Sequence, residues 1–315
     1  MEFSKGVQET TNRDENTNRT AGEGGKARLI TFYVLLILFA LLHVTSPLPY
    51  ALLGWFLEEG TISHRVHLIV FGWVFVLSLV GLLAQIPRPQ TKVAQMYQVL
   101  ISITLFNAIT MIIDRYVDPF VILILILPVA LVALHPNRSS LLAPSTHVSK
   151  TLMALAVVAA VPLVTDAVVQ FQIGAEASRI AAPIFEDLDN QPNLSDAERE
   201  QLFNAAVRRV TDSPEQAEEA AHAGHWSAMG AFNLILIGLA LVAAVRPLGW
   251  RLPAWSAGMS ALLFGAASIA NPGDASALNV YWSVLAIAWG VGFIVIAEIT
   301  RRESAPRTVA NPATA

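Results

Sequence analysis

The chain has 315 residues, of which 54% are hydrophobic and only 14% are charged, well below the roughly 25% charged residues of soluble domains. This composition excludes an ordinary soluble domain and predicts a membrane protein. The chain has no cysteine, which excludes disulfides, thiolate metal sites, iron–sulfur clusters and covalently attached c-type haem. The formal net charge is -4, and no basic patch indicates nucleic-acid binding.

Apolar stretches dominate the sequence after a polar start. Residues 1–28 are rich in Thr, Asn, Gly and Glu, which is typical of a disordered tail rather than a signal peptide. A helix needs about 20 apolar residues to cross a bilayer, and eight stretches come close, with the fourth and seventh the shortest. They are roughly 29–48, 64–86, 95–113, 119–135, 149–171, 222–246, 252–270 and 277–300. The predicted fold is an all-α polytopic membrane helical bundle, with six or seven crossings plus re-entrant segments as the alternatives.

The distribution of Lys and Arg predicts the orientation, because positively charged loops tend to stay in the cytoplasm. Basic residues precede the first stretch, occupy alternate loops and follow the last stretch, whereas the other loops carry acidic residues. Eight crossings with both termini cytoplasmic fit every loop. We therefore expect a multi-pass protein of the cytoplasmic membrane, with cytoplasmic tails at 1–28 and 301–315 and an outer segment at 172–221.

The outer segment contains helix signals of its own. Ser195 followed by Glu198 has the spacing of a capping box, so a surface helix is predicted from Asp196 to about Val210. Pro214 then follows Asp212 and Ser213 and predicts the first turn of another helix. The segment is therefore expected to be a helical insertion.

Two of the apolar stretches begin alike and indicate an internal repeat. Each opens with H-x-x-H, and glycine follows the second histidine after five residues, as in His67 with Gly72 and His225 with Gly230. If the second and sixth crossings match, 29–135 and 149–300 are two four-helix halves that both start in the cytoplasm. Such halves form a parallel 4+4 repeat about an axis along the membrane normal.

The repeat predicts a site built on histidine. Residues three apart share a helix face, so each H-x-x-H presents two imidazoles, and parallel repeats bring His67 and His225 to equal depth. Two facing imidazoles are the axial ligands that a six-coordinate haem b iron needs. Further candidates for this site are His64, His222, Arg65, Trp226 and His43, with Arg65 and Trp226 next to the haem propionates. His43 and Asp166 are expected to form a supporting hydrogen-bonded pair.

Several of the histidines and glycines also suit ordinary roles in a membrane helix or a different metal site. Histidine and tryptophan at a helix end often lie in the membrane interface, which is the simpler interpretation of His135 and His147. Glycines on the two helices leave room either for a macrocycle or for close helix packing. Glu218, His222 and His225, with His64, form an alternative zinc or copper site because the spacing places these donors on one helical face.

The stretch H-R-V-H-L-I-V-F-G-W-V, from His64 to Val74, resembles the histidine-bearing second helix of haem–copper oxidase and nitric oxide reductase catalytic subunits. It is also similar to the H-x-H-x-x-x-x-G helices of NnrS-type membrane haem proteins, and the stretch from His222 to Gly238 looks like a second copy. The resemblance implies that His67, and also His225, binds haem b. The chain has no H-x-x-x-Y on a later crossing and no adjacent His–His pair, so the copper-site motif of that family is absent.

These observations predict an integral membrane haem-binding protein that acts in electron transfer or in haem or nitric oxide handling. They leave open whether it is an enzyme, which would then be a membrane oxidoreductase. The alternatives are a membrane transporter or channel, for which Asp166 is the main intramembrane acid, and a non-catalytic metal-binding or assembly subunit. The expected surroundings are the lipid bilayer and a redox or assembly partner at the outer face.

Overall fold

The computed structural model describes residues 25–45, 51–52, 55–56, 65–115, 119–143, 145, 147–191, 193–221 and 223–303. Within these ranges the chain is helical and contains no strand, which confirms the all-α class. Most of the predicted tails, 1–24 and 304–315, lie outside the described residues. The helices are α1 Gly25–Thr45, α2 Arg65–Leu83, α3 Val93–Asp114, α4 Pro119–Leu134, α5 Arg138–Leu142, α6 Lys150–Asp189, α7 Asp196–Val210, α8 Pro214–Ala221, α9 Ala223–Val245, α10 Arg251–Ala270 and α11 Val280–Glu303.

Seven of the described helices are long and apolar enough to cross a membrane: α1, α2, α3, α6, α9, α10 and α11. The predicted fourth crossing corresponds to α4, which has 16 residues. At about 1.5 Å per residue this helix is roughly 24 Å long, shorter than the bilayer core of about 30 Å. The chain is a multi-pass membrane protein with seven candidate crossings and one shorter apolar helix.

Burial divides the crossings into inner and outer helices. Most side chains of α2, α9 and α10 are buried, and the main core cluster joins them through residues such as Ile69, Phe232 and Phe264. In contrast, α1, α6 and α11 expose many large apolar side chains, as helices that face lipid do. The two inner helices with the H-x-x-H motifs are thus held at the centre of the bundle.

Close contacts show the directions of the central helices. A Cβ atom placed on Gly81 of α2 would lie 2.8 Å from Val99 of α3, and one on Gly238 of α9 would lie 2.9 Å from Ile101. Farther along α3, Phe71 near the start of α2 packs against Phe106, and Ser227 of α9 donates a hydrogen bond of 2.9 Å to Asp114. Both α2 and α9 therefore run antiparallel to α3 and parallel to each other.

Helix α6 extends beyond the predicted fifth crossing. The sequence places the start of the insertion at residue 172, but the helix continues without interruption to Asp189, over 40 residues. At about 1.5 Å per residue its length is roughly 60 Å, twice the bilayer core. Its C-terminal part packs with α7 and α8 around a small apolar cluster that includes Leu188, Phe203 and Val207.

The predicted helix start in the insertion is confirmed. Helix α7 covers Asp196–Val210, and Ser195 and Glu198 form a capping box. The Ser195 hydroxyl and its backbone N–H donate hydrogen bonds to the Glu198 carboxylate at 2.7 and 2.9 Å. Both bonds favour the ionised carboxylate and lower the pKa of Glu198.

Candidate functional site

His67 of α2 and His225 of α9 lie in direct ring contact. Their ring centroids are 3.9 Å apart, and the ring planes differ by 17°. His67 is 5% exposed and His225 is partly buried. The two histidines that the repeated motif predicts to face each other therefore meet, near the ends where both helices begin.

An aromatic wall continues from the histidine pair along α2. The Phe71 ring lies 5.9 Å from the His67 ring, and the Phe75 ring lies 5.1 Å from that of Phe71. Phe106 of α3 packs against both phenylalanines at 5.9 and 6.4 Å. Side chains four residues apart share one helix face, so the pair is bordered on this side by apolar rings rather than by charged groups.

A carboxylate from a distant loop lies at the start of α2. The backbone N–H of Val66 donates to Asp274, which is 6% exposed, at 3.2 Å. Asp274 also accepts from the backbone N–H of Ser276 at 3.0 Å. A carboxylate at this end of a helix satisfies a backbone donor and complements the helix dipole, so it fixes the turn that carries His67.

Trp226 follows His225 in α9, and its side chain packs against the apolar cluster of α6, α7 and α8. Its indole nitrogen is buried, and no described residue accepts a hydrogen bond from it. Arg65, the first residue of α2, is partly buried two positions before His67.

The donor set suits haem iron, but the rings in this structure are too close to lie on opposite faces of a haem. Metal–imidazole bonds of about 2 Å place two axial nitrogens about 4 Å apart and the ring centres farther than the 3.9 Å observed here. Binding would require the side chains to rotate so that the rings separate. The pair therefore fits haem in its chemistry and requires local movement in its spacing.

Three glycines on the two histidine-bearing helices, α2 and α9, serve close helix packing. A Cβ atom at Gly230 would lie 2.5 Å from the Phe171 ring of α6, and the faces of Gly81 and Gly238 are filled by Val99 and Ile101. Of the two roles that the sequence leaves open for these three glycines, the structure favours helix packing over space for a macrocycle.

His43 lies apart from the pair, and its predicted partnership with Asp166 is not formed. The Nδ1 atom of His43 is 2.8 Å from the Phe39 carbonyl oxygen of its own helix, and its ring packs against Phe39 and Phe75. Asp166 instead accepts a hydrogen bond from Asn233. The prediction of a His43–Asp166 pair is wrong, because helix rotation directs Asp166 toward α9.

The alternative zinc or copper site falls mainly on positions that the structure does not describe. His64, His222 and the Glu218 side chain lie outside the described residues. Among the residues that are described, no group of three or more His, Asp or Glu side chains is positioned to share a metal ion. Of these four side chains, only that of His225 is described, and it contacts His67.

The two remaining histidines differ in burial. His135 is fully buried and has both ring nitrogens in hydrogen bonds, with the Gln85 side chain at 3.3 Å and the backbone N–H of Asn137 at 3.1 Å. His147 is exposed. These positions agree with a structural role for His135 and make His147 a suitable control position.

Polar residues that the sequence did not connect form two contacts between helices. Asp114 at the end of α3 accepts hydrogen bonds from Ser227 of α9 and Ser178 of α6, at 2.9 and 3.5 Å. Farther along α9, Asn233 donates to Asp166 at 2.7 Å. Polar side chains inside a membrane bundle generally pair across helices, but only the three-dimensional packing identifies the partners.

In comparisons with known proteins, no family model, no curated protein and no solved structure matches this chain.

Proposed function

We propose that this chain is a membrane protein that binds a b-type haem through His67 and His225 and acts in electron transfer or in haem or nitric oxide handling. The ring contact between two histidines of different central helices carries the proposal. Intramembrane ionisable residues are functional by default because their burial is costly. Two of them at one point on parallel helices would serve as axial ligands once their rings separate.

The surrounding residues support a planar ligand with an acidic edge. Phe71, Phe75 and Phe106 provide the apolar wall, whereas Arg65 provides a cation at the helix end. The bound haem would supply a reversible one-electron couple, which the axial ligands and the surroundings tune. The protein groups would hold the iron, orient its propionates and limit the access of water.

The first test is a reduced-minus-oxidised visible spectrum of the detergent-purified full chain, with iron analysis of the same sample. We expect sharp b-type haem bands and close to one iron per chain. The dithionite-reduced spectrum should not change with carbon monoxide, because two imidazoles occupy both axial positions. A protein that is purified without haem and also binds no added haemin would contradict the proposal and favour a transporter or an accessory subunit.

We further propose that α4 also crosses the membrane, which completes eight crossings, two parallel four-helix halves and cytoplasmic termini. The segment 172–221 is then extracytoplasmic. The positions of the basic residues support this arrangement. Tilting of neighbouring helices and local thinning of the bilayer accommodate a short apolar helix at modest cost.

Cysteine labelling in intact cells tests this topology, because the natural chain has no cysteine. Ser139, between α4 and α6, and Gln201, in α7, are both exposed. We expect a membrane-impermeant maleimide to label Gln201→Cys and not Ser139→Cys. If α4 does not cross and the N-terminus is cytoplasmic, the reagent should instead label Ser139→Cys and not Gln201→Cys. That outcome would refute eight crossings.

A further inference from the structure

A second polar site lies deeper in the bundle, between α6 and α9. Asp166 and Gln170 are four residues apart on α6 and therefore share a face, and Asn233 of α9 donates to the Asp166 carboxylate at 2.7 Å. Asn233 is 1% exposed and Asp166 is partly buried. The contact therefore joins a carboxylate to the buried centre of the bundle.

Two oxygen atoms of this cluster accept no hydrogen bond from any described residue. They are the buried Oδ1 of Asn233 and Oε1 of Gln170. The carboxylate fixes the orientation of the Asn233 amide, because the NH2 group must face Asp166 and an ionised carboxylate cannot donate to the amide oxygen. Leaving a buried acceptor unsatisfied is costly, so one on the residue bonded to Asp166 and one on the residue a helical turn away indicate a ligand that interacts with oxygen.

Asn107 of α3 adds a third amide at the same depth. Helix α3 packs along α9 from Ile101 against Gly238 to Asp114 against Ser227, which places Asn107 about level with Asn233. Asn107 is 6% exposed and donates to the Ile103 carbonyl at 2.7 Å. Three neighbouring helices therefore bring polar side chains to one level.

This level is close to the middle of α9. Asn233 is 10 residues from the start of α9 and 12 from its end, or about 15 to 18 Å from each at 1.5 Å per residue. It is also eight residues, about 12 Å along the axis, from His225. The cluster is thus separate from the histidine pair, and the inference does not depend on haem binding.

We propose that Asp166, Gln170 and Asn233 bind a monovalent alkali cation, with Na+ as the probe. Carboxylate and amide oxygens are hard ligands that suit such ions. One carboxylate neutralises one positive charge, whereas a divalent ion would leave an uncompensated charge in a low-dielectric region. Protonation of Asp166 would provide only one donor, but a cation interacts with both of the amide oxygens that have no donor.

Equilibrium binding of radioactive Na+ to the detergent-purified full chain tests this site. We expect saturable binding of about one ion per chain that unlabelled Na+ displaces and choline does not. Asp166→Asn should weaken binding at least tenfold because it removes the only charge of the cluster. Gln170→Met, which keeps the length of the side chain and removes its oxygen, should weaken binding by a smaller factor.

Asp114→Asn is the matched control, because it removes the carboxylate that Ser178 and Ser227 bind near the end of α3. Binding by this variant should match the wild type. Gln170→Met decides the result if Asp166→Asn does not fold. The absence of saturable Na+ binding, equal binding by Gln170→Met and wild type, displacement by Ca2+ at lower concentration than by Na+, or loss of binding in Asp114→Asn would each overturn the proposal.

Discussion

Replacement of either His67 or His225 by alanine is expected to abolish haem binding. One imidazole cannot hold the iron in the six-coordinate state that the pair provides, and the remaining histidine is then packed against a cavity. Loss of the ring contact leaves a cavity beside the remaining histidine, so the alanine variants should also be less stable. The haem-to-protein ratio after purification, measured by absorbance and iron content, reports the first effect.

Phenylalanine variants separate ligation from ring packing at the same positions. His67→Phe and His225→Phe keep an aromatic ring that can stack at the observed position, but neither ring can bind iron. We expect both variants to lose haem while their elution volume on gel filtration and thermal stability remain close to those of the haem-free wild type. Retention of haem by both would show that the ligands lie elsewhere.

His147→Ala is the control for the histidine variants. His147 is exposed and lies between α5 and α6, at the opposite end of the bundle from the pair. Its replacement should leave the haem content unchanged. Equal loss of haem in His147→Ala would indicate a general defect in folding or in haem loading rather than the removal of a ligand.

The positions of the crossings could be predicted because composition and helix length are local properties. A run of apolar residues between polar loops specifies a membrane helix, and the Ser195–Glu198 spacing specifies a cap. The contact of His67 and His225 could also be anticipated, because similar spacing on two matching helices places the side chains at similar depths. The crossings and the cap need no knowledge of how the helices rotate against each other, whereas the histidine contact also requires both motifs to face the interface between α2 and α9.

Predictions that depend on helix rotation were less successful. Asp166 points toward Asn233 rather than His43, and Phe171 fills the face of Gly230 that a macrocycle would need. The partner of each face is set by the packing of all the helices together, which one sequence does not reveal. Asp274 illustrates the same limit, since it accepts a hydrogen bond from the backbone N–H of Val66, which lies 208 positions away in the sequence.

The length of α6 differs from the prediction for another reason. The sequence changes from apolar to polar near residue 172, and this change predicts the end of a membrane crossing. Polar residues such as Glu176 and Arg179 nevertheless continue the helix. These two side chains form a salt bridge of 2.6 Å, and oppositely charged residues three positions apart stabilise a helix. The change in composition marks the exit from the apolar part of the helix, not its end.

Substitution of Gly258 or Gly290 by alanine is expected to destabilise the bundle strongly. Helices α10 and α11 meet there backbone to backbone, and a Cβ atom on Gly258 would lie 2.6 Å from the Gly290 carbonyl oxygen and 2.5 Å from Ile294. Close approach through small residues is a main source of helix association in membranes. A methyl group at either position must separate the helices, at a cost of about 1–3 kcal/mol for overpacking.

Gly292→Ala provides the matched control on the same helix, because a Cβ atom there would have no atom within 4 Å. Alanine favours a helix by about 1 kcal/mol over glycine, so this variant should be as stable as the wild type or more stable. Thermal unfolding of the detergent-purified proteins should show a fall of several degrees for the first two variants only. Equal behaviour of all three would show that α10 and α11 do not pack as closely as this contact requires.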